Sequence, residues 1–114
     1  MADQQYDISG NVFKREETTK ELVVQFKGDN GNYINPDTTH DWVAKIANGS
    51  GYLGNYPVTI LGNQINVSSK EFSKLPADTY FLEIWETWVT NGNTQQTIYP
   101  SPGQFIQFTI ERNI

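Results

Sequence analysis

The chain has no cysteine, so disulfides and thiolate metal sites are excluded. It has no cluster of Lys and Arg, and its formal net charge is -5, which argues against a nucleic-acid partner, whose phosphates demand grouped cations. No apolar run approaches the ~20 residues that span a bilayer as a helix, so no membrane partner is expected. The opening MADQQYDISG lacks a basic stretch followed by an apolar one, so no secretory signal is expected. Helical periodicity is nearly absent. SSKEFSKLPAD is the single plausible helical turn, with Ser68 or Ser69 as cap and Pro76 as stop.

Alternation with period two fills the space that helices leave. In KELVVQFKG, Leu22, Val24 and Phe26 point one way, and Val23, Gln25 and Lys27 the other. HDWVAKIANG repeats the pattern with Trp42, Ala44 and Ile46 inward, and QFIQFTIERN does so with Ile106, Phe108 and Ile110. TYFLEIWETWVT is the longest strand candidate. Tyr80, Leu82 and Ile84 share one face; Phe81, Glu83, Trp85 and Thr87 share the other. DNGN at 29–32, Gly62-Asn63 and NGN at 91–93 are turn signals, and NGSGYLGNYP at 48–57 reads as a glycine-rich loop. TIYPSPG is extended until Pro100 and Pro102, which lack the N–H a ladder needs.

The 114 residues therefore form one domain. The expected fold is all-β: an antiparallel, immunoglobulin-like β-sandwich of about seven or eight short strands with at most one helical turn. Residues 20–114 make the sandwich, and residues 1–19 an N-terminal arm or edge strand. In that stretch Tyr6, Ile8, Val12 and Phe13 are candidates for docking on a neighbouring subunit, or for an ordinary first strand.

Reactive residues do not gather in the sequence. Glu83 and Glu86 sit three apart on a strand, hence on opposite faces, and cannot converge on one sugar as a glycosidase pair must. Glu83 is expected on the solvent face and Glu86 near the strand end. His40 stands between Asp37 and Asp41 in DTTHD, a donor set that suits zinc or manganese, but its loop composition reads better as a polar turn entering the Trp42 strand. Asp29-Asn30-Gly31-Asn32 lacks the glutamate that closes a calcium loop. GSGYLG lacks the Lys-Ser/Thr of a phosphate loop, and no serine has a nucleophile-elbow setting. The expectation is no catalytic, metal or cofactor site. Aromatics remain: Trp42 as core, and Trp85, Trp88, Tyr52, Tyr56 and Tyr99 as candidates for a protein interface or for stacking on sugars.

The order of segments LVVQFKGDNGNYI, AKIANGSGYLGNYPV, LPADTYFLEIWETW and TIYPSPGQFIQFTIERN resembles the N-terminal domain of phage baseplate upper proteins, from siphophages and prophages of Gram-positive bacteria. The likeness covers roughly residues 20–113. It implies a β-sandwich in the virion, assembled in the host cytoplasm, that plugs into a baseplate and carries receptor-binding parts through protein contacts. Other tail and baseplate proteins would be its partners, with a homo-oligomer open. The alternative is a small carbohydrate-binding module with a host-cell glycan as ligand. The resemblance supplies no catalytic residues.

Overall fold

A computed structural model describes residues 6–114. Residues 1–5, the beginning of the arm expected over 1–19, lie outside the described residues. Among the described residues ten strands follow one another: β1 (Tyr6–Ser9), β2 (Val12–Lys14), β3 (Glu21–Phe26), β4 (Asp41–Asn48), β5 (Gly51–Pro57), β6 (Thr59–Leu61), β7 (Gln64–Ser68), β8 (Asp78–Thr90), β9 (Asn93–Tyr99) and β10 (Ile106–Glu111). One 3₁₀ turn, Ser69–Phe72, interrupts them. The chain is an all-β sandwich. One sheet has the order β1-β3-β7-β6 and the other β2-β10-β8-β4-β5, with β9 also paired to β8.

The alternation read from the sequence decides what lies between the sheets. Leu22 and Val24 of β3, Ile65 and Val67 of β7, Ala44 and Ile46 of β4, Tyr80, Leu82 and Ile84 of β8, and Ile106, Phe108 and Ile110 of β10 are all buried. At one end an aromatic stack closes the core. Phe108 lies 4.8 Å from Phe72, 5.2 Å from Tyr80 and 6.0 Å from Phe13, centroid to centroid. Phe72 arrives on the 3₁₀ turn, which Ser68 caps by accepting from the Lys70 N–H. Buried Ser69 ties that turn down, donating to the Glu17 carbonyl and accepting from the Lys20 N–H.

The strand count exceeds the expected seven or eight because the N-terminal stretch supplies two strands, β1 and β2, and because a stretch read as loop is a strand. The stretch read as a glycine-rich loop, 48–57, contains β5. Its glycines are tolerated because β5 is an edge strand with a register shift opposite Ile46/Ala47, and Gly54 there takes φ +155°. Pairing is antiparallel throughout except between β2 and β10, which run parallel. DNGN is a turn closed by a single bridge, Lys27 to Tyr33, and does not join two full strands. β1 and β2 are edge strands of the two sheets, and the docking candidates Tyr6 and Phe13 are buried in this chain's own core. Ile8 is half-buried, and Val12 alone of the four points to solvent.

Candidate functional site: the outer aromatic face and the His40–Glu86 cluster

Burial of Tyr80, Leu82 and Ile84 forces Phe81, Glu83 and Trp85 onto the outer face of the larger sheet. Register then places their neighbours. Val43 and Ile98 flank Trp85, Lys45 lies beside Glu83, and Ala47 and Gln107 flank Phe81. Tyr52 of β5 sits beyond Ala47. β9 and β10 lie end to end along the same side of β8, and the 100–105 connection between them rises over this face. The result is an open groove of about 690 Å³ with Tyr52, Phe81, Trp85, Pro100, Pro102 and Phe105 among its walls. Phe81 and Phe105 meet edge to face at 6.3 Å. Phe105 is 68% exposed and Tyr52 61%, so the apolar walls are open to solvent. Lys45 Nζ stands 3.7 Å over the Trp85 ring, and Trp85 Nε1 donates to Glu83 Oε1 at 3.1 Å.

A second constellation lies on the opposite side of β8. The parity that buries Ile84 also turns Glu86 inward, where it is 7% exposed. Its carboxylate accepts from Tyr99 OH at 3.0 Å and from His40 Nδ1 at 2.5 Å. His40 Nε2 reaches Asp37 Oδ2 at 3.3 Å, and the Trp88 ring stacks on the imidazole at 4.6 Å and 7°. Trp42 Nε1 donates to the Asp37 carbonyl at 2.8 Å, which holds the turn before β4. This cluster is a polar lock. It fastens the 37–40 turn to β8 and β9 and satisfies a buried carboxylate that would otherwise destabilise the fold. Glu86 was expected near a strand end; it lies instead in this lock. Glu83 is exposed on the other face, so the two glutamates do not converge.

Burial, then the charge of Glu86 and the hydrogen bond to it, push the Tyr99 phenol up to about 12. An unfolded phenol ionises near ~10. The folded state therefore keeps a proton that the unfolded state loses, and this contribution is whole below pH ~10 and lost as pH rises towards about 12. Denaturant midpoints should fall across that window. Tyr99→Phe should flatten the fall when midpoints are measured at several alkaline pH values.

Of the five aromatic candidates, Trp85 and Tyr52 share the groove. Trp88 stacks on His40, Tyr99 faces the core beside Phe26 at 4.7 Å, and Tyr56 meets Phe72 at 5.2 Å. The groove also uses residues the sequence reading left out. Phe81 shares the parity of Trp85 and was findable on that ground; Phe105 arrives through the 100–105 connection, which no local pattern places. Comparison with protein-family models, with curated proteins and with solved structures gave no match.

Proposed function

We propose that this domain is a structural attachment unit of a phage tail baseplate, holding receptor-binding parts through protein–protein contacts and performing no chemistry of its own. The observation that carries the attachment reading is the open groove on the larger sheet, whose aromatic and proline walls fit apolar side chains of another protein. The baseplate setting rests on the order of sequence segments described above. In this reading Phe81, Trp85 and Phe105 are the anchors, and Lys45 and Glu83 give the polar margin.

A second reading is favoured by one feature, the presence of Tyr52 and Trp85 in the same groove, which suits a saccharide. Two observations weigh against it. The Lys45 ammonium covers one face of Trp85, and the indole N–H is already engaged by Glu83, so the ring offers a sugar less than a bare platform would.

Co-expression with tail-hub proteins followed by size exclusion tests the first reading. Co-elution is expected, and Phe81→Ser combined with Phe105→Ser should weaken it by about 100-fold, the effect of losing two anchors worth about 1.5 kcal/mol each. Both residues are exposed, so the variant should keep its thermal midpoint. Failure to co-elute, together with tryptophan quenching by soluble glycans, would replace attachment with the carbohydrate reading.

A further inference from the structure

β9 pairs with β8 on one side, and among the described residues nothing pairs its other side. The β8–β9 turn has Asn91 at φ 52° and Gly92 at φ 78°, the two positive values of a type I′ hairpin. In such a hairpin the closing pair, Thr90 and Asn93, exchanges both hydrogen bonds, and bonded pairs then alternate along the ladder. Asn93, Gln95, Thr97 and Tyr99 therefore turn their backbone groups to β8. Thr94, Gln96 and Ile98 turn each N–H and C=O outward, and all three are exposed.

The other sheet edges are blunted. β1 has four residues and carries Asp7, bound to Lys27 and Tyr33. β2 and β6 have three residues each. β5 has seven, but it carries a register shift and Gly54 and ends in Pro57. β9 has seven residues and none of these protections. From Thr87 to Ile110 the chain holds no charged residue.

We propose that β9 is a self-pairing edge, through which two copies of this chain join antiparallel about a twofold axis normal to the larger sheet. Such an axis keeps each outer face on the same side, so facing residues must share parity. With Gln96 on the axis, Thr94 faces Ile98 of the second copy, and every outward N–H and C=O of Thr94, Gln96 and Ile98 is met. Centring on Gln95 would pair Thr94 with Gln96 and leave Ile98 facing the turn. The self-complementary register admits a second copy here, and the charge distribution does not bar it. Two chains of formal charge -5 repel each other, and this uncharged edge is where they approach at least cost. Facing Gln96 amides bond to one another without a charge to bury. The contact is small, so the association is reversible and concentration-dependent. It stands independently of the attachment reading.

Sedimentation equilibrium from about 10 µM to about 1 mM tests it. The intact chain should pass from monomer to dimer, and the amides of Thr94, Gln96 and Ile98 should exchange hydrogen more slowly as it does so. Gln96→Pro removes an N–H that does not serve β8, and should weaken dimerisation by about tenfold or more. Gln96→Lys keeps the N–H but sets two ammonium groups on the axis, and should weaken it in low salt with recovery in high salt. If the proline variant folds poorly, the lysine variant decides. A chain that stays monomeric to about 1 mM overturns the proposal and leaves the edge to a strand of another protein. Unimpaired dimers in the lysine variant overturn it as well.

Discussion

Phe72→Ala is expected to lower stability by about 3–5 kcal/mol, the usual cost of removing a buried phenylalanine and leaving its space unfilled. Phe72 has no exposed surface. It is the apolar side chain that the 3₁₀ turn sends into the core, and its ring centroid lies 6.0 Å from that of Phe13 of β2, 4.8 Å from Phe108 of β10 and 5.2 Å from Tyr56 of β5. A domain of this size has a total stability of about 5–15 kcal/mol, so the loss is a large share of the whole. The thermal midpoint should drop by on the order of 15 °C. Phe72→Leu, which keeps most of the volume, should recover more than half of that. Calorimetry on the three proteins measures both effects.

Gly10→Ala is the second large effect, and its cause is backbone geometry. Gly10 lies between β1 and β2, where the chain passes from the edge of one sheet to the edge of the other. Its φ is +66°, a conformation that L side chains rarely adopt. A Cβ there would lie 2.0 Å from the Glu21 carbonyl oxygen, a contact with backbone that no rotamer relieves. Left-handed strain and the collision together should cost about 2–6 kcal/mol. Gly62→Ala is the control. Gly62 has φ +62° but nothing within 4 Å of its added Cβ, so strain alone applies, at about 1–2 kcal/mol. Urea denaturation of the two variants should separate the collision from the strain. Equal losses would mean that the β1–β2 crossing yields where the structure holds it rigid.

These two residues mark what the sequence made legible and what it did not. The long strands could be read directly, because Leu22/Val24, Ala44/Ile46, Tyr80/Leu82/Ile84 and Ile106/Phe108/Ile110 each bury one face of an alternating run. β5 could not, since Gly51 and Gly54 erase the alternation and the strand survives only by pairing with β4. Glu86 was within reach, because the parity that buries Ile84 also points it inward. Its partner His40 lies 46 positions away, and only the β4–β8 pairing brings the two together. The outer face followed the same division. Phe81 and Trp85 are one parity class of one strand, whereas Tyr52, Phe105 and the prolines reach the groove through non-local pairing.

The groove is also where the functional account stands or falls. The buried polar lock of His40, Glu86 and Tyr99 holds the 37–40 turn to the sheet. Other exposed apolar side chains include Val12 on β2, Leu61 on the smaller sheet, Val89 near the hairpin tip, and Tyr33 and Ile34 beside the 29–32 turn. The outer face of the larger sheet gathers Tyr52, Phe81 and Phe105 around one concave surface. Attachment through that face demands that its aromatic rings leave water when the partner docks.

Oxidative footprinting of side chains in the free chain and in its complex with tail-hub proteins measures this directly. Phe81, Phe105, Tyr52 and Trp85 should lose reactivity by about tenfold on complex formation, as full desolvation of an interface centre requires, while Leu61 keeps its reactivity. Protection at Leu61 with the four aromatics still reactive, or no complex to footprint, would contradict it.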